Sequence, residues 1–168
     1  PYVVGDFVWT ALDYLGEAGV GRTYLEGEQA KFLPDWPWTV ANCGDLDLCG
    51  EKRPQSYYRD ILWHRLPAPY IGVHALVPEG KKVLLSNWGW HDVQAHWTWP
   101  GCEGQGLQVD VYFDCDEVEL LLNGESLGIK PVPAEARYIA TFTVPYRPGE
   151  LKAVARKAGR PVGIPTGW

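Results

Sequence analysis

The chain has 168 residues, a formal net charge of −6 and 46% hydrophobic residues. An acidic balance offers no basic patch to nucleic acid or to an anionic membrane surface, and no apolar run approaches the roughly 20 residues a spanning helix needs. The length suits one domain or two small ones, and nine Trp with nine Tyr give it an aromatic excess, which serves either sugar stacking or a β-sheet core.

The first element is a short, almost wholly apolar run from Tyr2 to Trp9. Such a run suits a strand buried on both faces, as in a parallel sheet. It releases Trp9, Asp13, Gly16 and Glu17 at its C-terminal end. In a (β/α)₈ barrel ligands bind at the strand C-termini, so this end reads as the floor of a sugar site. A barrel strand standing first in a chain implies the tail of a larger enzyme. Residues 10 to 42 follow with little periodicity and hold Gly16, Gly19, Gly21, Gly27, Pro34 and Pro37, which predicts a long functional loop. A helix begins near Pro54, since proline is well tolerated at the first helical position. Tyr57, Tyr58, Ile61, Leu62 and Arg65 sit at helical spacing, and Leu66-Pro67-Ala68-Pro69 ends the element.

From about residue 70 the pattern is that of short strands bounded by Gly, Pro or Asp, which predicts an antiparallel β-sandwich. The expected strands are 70–77, 82–86, 93–98, 107–113, 117–122, 126–129, 138–144 and 151–155. Asn123-Gly124 between Leu-rich flanks predicts a type I′ hairpin turn, which needs positive φ at both central residues. Leu107, Val109, Val111 and Phe113 share one face, and that face is core. Beyond Arg156 the pattern is lost and an irregular tail is expected over residues 158–168.

Cys43, Cys49, Cys102 and Cys115 form no CxxC pair and no zinc-type spacing with histidine, so no metal site is expected. Cys43 and Cys49 either meet across a loop or are single buried thiols. His91 and His96 lie five apart, which fits neither strand nor helix repeat.

Phe7-Val8-Trp9-Thr10 with Asp13-Tyr14-Leu15-Gly16-Glu17, then Gly44-Asp45-Leu46-Asp47-Leu48-Cys49-Gly50, then Pro54-Gln55-Ser56-Tyr57-Tyr58-Arg59-Asp60-Ile61-Leu62-Trp63, resemble the last strand, loop and helix of the barrel in glycoside hydrolase family 2. Trp88-Gly89-Trp90, His96-Trp97-Thr98-Trp99-Pro100-Gly101 and the run from Val118 through Asn123-Gly124 to Gly128 resemble the immunoglobulin-like domain that follows the barrel in β-galactosidase-like members. The resemblance implies a mixed fold, the C-terminal fragment of a (β/α)₈ barrel followed by an antiparallel immunoglobulin-like β-sandwich. It divides the chain into a barrel end over residues 1–66, a linker or bridging strand over 67–79, a sandwich over 80–157 and the tail. An incomplete barrel leaves apolar faces open, so residues 1–66 are expected to pack on the sandwich, to pair with another copy, or to be poorly ordered.

The implied activity is retaining, exo-acting hydrolysis of a β-linked glycoside or oligosaccharide, which needs two carboxylates about 5–5.5 Å apart. In the family these are glutamates on the fourth and seventh barrel strands, both expected upstream of Pro1. None of Asp6, Asp13, Glu17, Asp45 or Asp47 matches either, so no catalytic residue is assigned and the chain alone is expected to be inactive. What remains is the pocket wall. Trp9 matches the family's strand-eight Trp beneath the sugar, against the plainer reading of a packing plug. Asp13 and Glu17 either accept sugar hydroxyls or brace the loop, and Trp36 and Trp38 line outer subsites. No cofactor is implied, and the expected partners are the glycoside and either the rest of the barrel or a second copy. The alternative is a noncatalytic module in which a β-sandwich binds glycan through the Trp88-x-Trp90 and Trp97-x-Trp99 pairs or merely braces the barrel.

Overall fold

The computed structural model describes residues 2, 5, 7–28, 39–133, 135 and 137–168. Its elements in chain order are β1 (Tyr14–Leu15), β2 (Thr23–Leu25), β3 (Val40–Ala41), α1 (Pro54–Leu62), β4 (Tyr70–His74), β5 (Val83–Leu85), β6 (Val93–Gln94), β7 (Gly106–Tyr112), β8 (Glu117–Leu122), β9 (Glu125–Pro131), β10 (Ile139–Pro145), β11 (Leu151–Lys157) and β12 (Arg160–Gly167). The architecture is mostly antiparallel β with one helix, and no barrel closes among the described residues. Two units divide the chain, Pro1–Ser56 with Val77–His91 and Tyr57–Leu76 with Asp92–Trp168. None of the described helices is long and apolar enough to cross a membrane.

The second unit holds two four-stranded sheets, ordered β10-β7-β4-β6 and β12-β11-β8-β9. Alternation builds their inner faces. On β7, Leu107, Val109 and Val111 are buried, followed by Phe113 just past the strand, while Val118, Leu120 and Leu122 do the same on β8 and Leu151, Ala153 and Ala155 on β11. This is the core face expected for residues 107–113. The β8–β9 hairpin turns at Asn123 and Gly124, with φ of 54° and 79°, the left-handed pair that a type I′ turn demands. On the outer face of the first sheet, Tyr70 and Tyr112 are register partners 5.4 Å apart between ring centroids. α1 covers them. Tyr57 stacks on Tyr70 at 4.4 Å and Tyr58 meets Tyr112 edge-on at 6.1 Å. The helix starts at the expected Pro54 and ends where His64 turns left-handed at φ 54°, Arg65 N–H reaching back to the Asp60 carbonyl at 2.7 Å.

Several expectations are corrected. Of the N-terminal apolar run, Val3, Val4 and Asp6 lie outside the described residues; its described members, Tyr2, Gly5 and Phe7 to Trp9, lie in no strand, and Phe7 is 96% exposed rather than buried. Burial there requires parallel neighbours and helices on both sides, and among the described residues only the single Leu12–Leu46 bridge is parallel. Residues 10–42 are not a plain loop, because β1 pairs with β3 and β2 with β5. That second pairing also takes Val83–Leu85 out of the sandwich. The stretch read as a linker or bridging strand over 67–79 contains β4, an interior strand whose Ile71 and Val73 are fully buried. The tail read as irregular is β12, paired with β11 through a register shift between Ala153 and Ala155. Its Pro161 and Pro165 break the sequence pattern but are tolerated on an edge strand, where their missing N–H groups face no partner.

Candidate functional site

In the first unit, four side chains converge on one exposed surface. Tyr14 is the pivot. The β1–β3 pair sets Tyr14 opposite Ala41, and its ring packs against the small core of Val20, Ala41 and Cys43. The Tyr14 hydroxyl donates to the Glu17 carboxylate and accepts the indole N–H of Trp9 at 3.2 Å. Its hydrogen bond to Glu17 holds the phenol above its ordinary range. Trp9, 72% exposed, lies nearly parallel to Trp88, 65% exposed, with planes 14° apart and centroids 6.5 Å apart. That is an offset stack with both outer faces open to solvent.

The backbone explains why distant residues meet. Gly19 N–H donates to the Val40 carbonyl, and Gly21 N–H donates to the Asn87 carbonyl at 2.9 Å. Ser86 N–H donates to the Arg22 carbonyl at 3.0 Å, and its hydroxyl donates to the Gly19 carbonyl at 3.1 Å. The loop carrying Trp88 is thereby fastened to the segment that follows Glu17. Glycine is required at Gly21, where a Cβ would lie 2.4 Å from the Asn42 carbonyl oxygen and φ is +76°. Glu17 and Trp88 themselves adopt left-handed backbones, with φ of 36° and 58°. For a bulky side chain that conformation costs on the order of 1–2 kcal/mol.

Asp13 sits apart from this surface. It is buried, its Oδ1 accepts from Gly44 N–H at 2.8 Å and its Oδ2 accepts from Arg53 Nη1 at 2.7 Å. Both oxygens are engaged inside the fold, which makes Asp13 a brace between β1 and the residue preceding α1. Trp36 and Trp38 lie outside the described residues. The Trp-x-Trp pairs are each split. Trp97 is 3% exposed, edge-on to Tyr146 and donating to the Arg147 carbonyl at 2.9 Å, whereas Trp99 is half-buried beside His96. Trp90 is half-buried while Trp88 is exposed, because the left-handed backbone at Trp88 turns the pair away from a shared face. Of the four, Tyr14 is not singled out by the sequence as a site residue, and Trp88 is named there only as half of a Trp-x-Trp pair on the sandwich, not as a neighbour of Trp9. The Asn87 and Gly89 flanking Trp88 were the available signal of a turn that would throw the ring outward.

No cysteine pair is bridged. Cys43 and Cys115 are buried free thiols, Cys49 is exposed, and burial pushes Cys115 up to about 11. Among the described residues no three His, Cys, Asp or Glu side chains are grouped to hold a metal ion.

Comparison with known proteins identifies the family of the chain. A domain of unknown function, DUF4982, matches residues 104–163. A protein of Formosa agariphila described as a β-glucuronidase is 32% identical over 96% of the chain, and a β-galactosidase of Bacteroides ovatus is 28% identical over 96%. The chain spans 13% and 15% of the length of these two curated relatives. The crystal structure of a glycosyl hydrolase family 2 member from Bacteroides cellulosilyticus matches with a TM-score of 0.81 and 43% identity, covering 98% of this chain and 21% of that one. Sequence relatives and solved structure point the same way, and the chain belongs to glycoside hydrolase family 2.

Proposed function

We propose that this stretch forms part of the sugar-pocket wall, with an accessory β-sandwich, of a retaining, exo-acting glycoside hydrolase of β-galactosidase type. The observation that carries the reading is the exposed indole of Trp9 beside the Tyr14–Glu17 pair. An open aromatic face accepts the C–H side of a pyranose, and a carboxylate at its edge accepts hydroxyl protons. Trp9 serves as the floor and Glu17 as the orienting acceptor. The acid and the nucleophile belong to parts of the parent protein outside these 168 residues, so the chain binds sugar without cleaving it. The relatives described as a β-glucuronidase and a β-galactosidase both support a β-glycoside substrate, and the galactosidase type rests on the resemblance of the sequence. The alternative, glycan binding by the sandwich itself, is disfavoured by the burial of Trp97, which leaves that ring no open face.

Calorimetric titration of the purified chain with galactose tests the reading, with a chromogenic β-galactoside run in parallel. Saturable binding lost in Trp9→Ala, with no turnover, is expected. Binding that survives Trp9→Ala, or turnover by the chain alone, would overturn it.

A further inference from the structure

Trp88 occupies a position where stability favours glycine. Gly89 N–H donates to the Ser86 carbonyl at 2.9 Å, which makes Ser86-Asn87-Trp88-Gly89 a tight turn with Trp88 at its third position and φ of 58°. A turn with positive φ at the third residue alone is of type II kind, and its preferred occupants there are Gly and Asn. The other left-handed residues outside this site include Asn123 and Ala158 at hairpin turns and His64 at the helix end, places where the chain must reverse or cap. At Trp88 a large ring is carried on a disfavoured backbone and then left 65% exposed, so packing returns little for the strain. What the ring does contact is Trp9, at 6.5 Å between centroids and 14° between planes. The two rings are too close and too nearly parallel to admit a sugar between them. Near-parallel rings whose centroids stand 6.5 Å apart in an offset stack are slipped past one another, so the pair presents a stepped surface longer than one indole.

We propose that Trp88 is a second sugar-stacking residue that extends the Trp9 platform to the neighbouring sugar, so that the site is built for a β-linked oligosaccharide of two or more units. This rests on the reading of Trp9 as the pocket floor given above. The strain at Trp88 is then the consequence of placing a ring beyond Trp9 from a loop anchored on Gly19 and Arg22.

The test compares galactose with a β-linked galactobiose by calorimetry on the full 168-residue chain, in the parent and in Trp9→Ala, Trp88→Gly and Trp88→Tyr. Trp88→Gly removes the ring while relieving the backbone, so its melting temperature is expected to equal or exceed the parent's. Its affinity for the disaccharide is expected to fall about tenfold further than its affinity for galactose, the size of one lost ring contact. Trp88→Tyr is expected to recover most of that difference. An unchanged ratio of the two affinities in Trp88→Gly, with galactose binding still dependent on Trp9, overturns the second stacking position and leaves the pocket floor standing. A lower melting temperature in Trp88→Gly with an unchanged ratio identifies a structural ring instead. Failure of the parent to bind either sugar, or binding indifferent to Trp9→Ala, overturns the floor and the extension together.

Discussion

His74 Nε2 lies 2.6 Å from Oδ2 of Asp110 on the outer face of the first sheet, where Asp110 is 4% exposed. Thr141 Oγ1 donates to the other carboxylate oxygen at 2.7 Å, and Gln108 Nε2 reaches it at 3.5 Å. Burial pushes the Asp110 carboxyl up, yet the hydrogen bonds from His74 and Thr141 and the charge of His74 outweigh it and hold the carboxyl below its ordinary range. A carboxyl depressed in the folded state contributes stability above its unfolded value and loses it as pH falls through the folded value. Asp110→Asn is therefore expected to lower stability by about 1–3 kcal/mol at neutral pH, with the gap to the parent closing below about pH 4. Urea unfolding followed from neutral pH down to about pH 2.5 measures both. A gap that stays constant across that range would remove Asp110 from the acid-sensitive set.

The Asp13–Arg53 contact gives a second expectation. The Asp13 side chain is 2% exposed and Arg53 26%, so truncating the arginine leaves a buried carboxylate with, among the described residues, the Gly44 N–H as its remaining donor. Arg53→Ala is expected to destabilise the first unit by about 2–3 kcal/mol. Gly44→Ala should be harsher, because a Cβ there would sit 2.3 Å from Asp13 N and from the Leu12 carbonyl carbon. Equilibrium denaturation read separately through Trp9 and Trp97 fluorescence, using Trp→Phe backgrounds, assigns each loss to its unit.

The sandwich was legible because its signals are local. Alternation at Leu107, Val109 and Val111 and the Asn123-Gly124 turn each specify geometry within a few residues. β12 escaped because Pro161, Gly163 and Pro165 erase the strand pattern, and its place is fixed by distant bonds, Ile164 N–H to the Pro67 carbonyl and Trp168 Nε1 to the Ile71 carbonyl. The first unit was less legible for the same reason. Its strands are two or three residues long, too short for periodicity, and what joins them is contact between residues such as Gly21 and Asn87. Trp9 and Glu17 could be selected by composition and resemblance, but Tyr14 between them, and the place of Trp88 beside Trp9, emerge only once β1 meets β3 and the two loops meet.

Asn123 does two tasks at once, and its variants should separate them. Besides setting the hairpin turn, its Oδ1 accepts from Glu150 N–H at 2.9 Å and its Nδ2 donates to the Pro148 carbonyl at 3.1 Å. Asn123→Gly keeps the left-handed turn and removes the clip, for an expected loss of about 1–2 kcal/mol. Asn123→Ala removes the clip and opposes the turn, adding about 1 kcal/mol. Equal losses in thermal melts of the two variants would show that the clip alone matters.

Trp97 provides the contrast to the exposed rings. It packs edge-on to Tyr146 at 5.2 Å, while the Tyr146 hydroxyl accepts from Trp99 N–H at 3.0 Å, so one aromatic pair fastens the segment 97–99 onto the end of β10. Trp97→Ala is expected to cost about 3–5 kcal/mol through the cavity it opens. Trp97→Phe keeps much of the packing but leaves the Arg147 carbonyl without its indole donor, for about 1–2 kcal/mol. Neither variant is expected to alter galactose affinity at temperatures where the chain stays folded, since Trp97 has no open face. Loss of sugar binding in folded Trp97→Phe would place the recognition surface on the sandwich and move it away from Trp9.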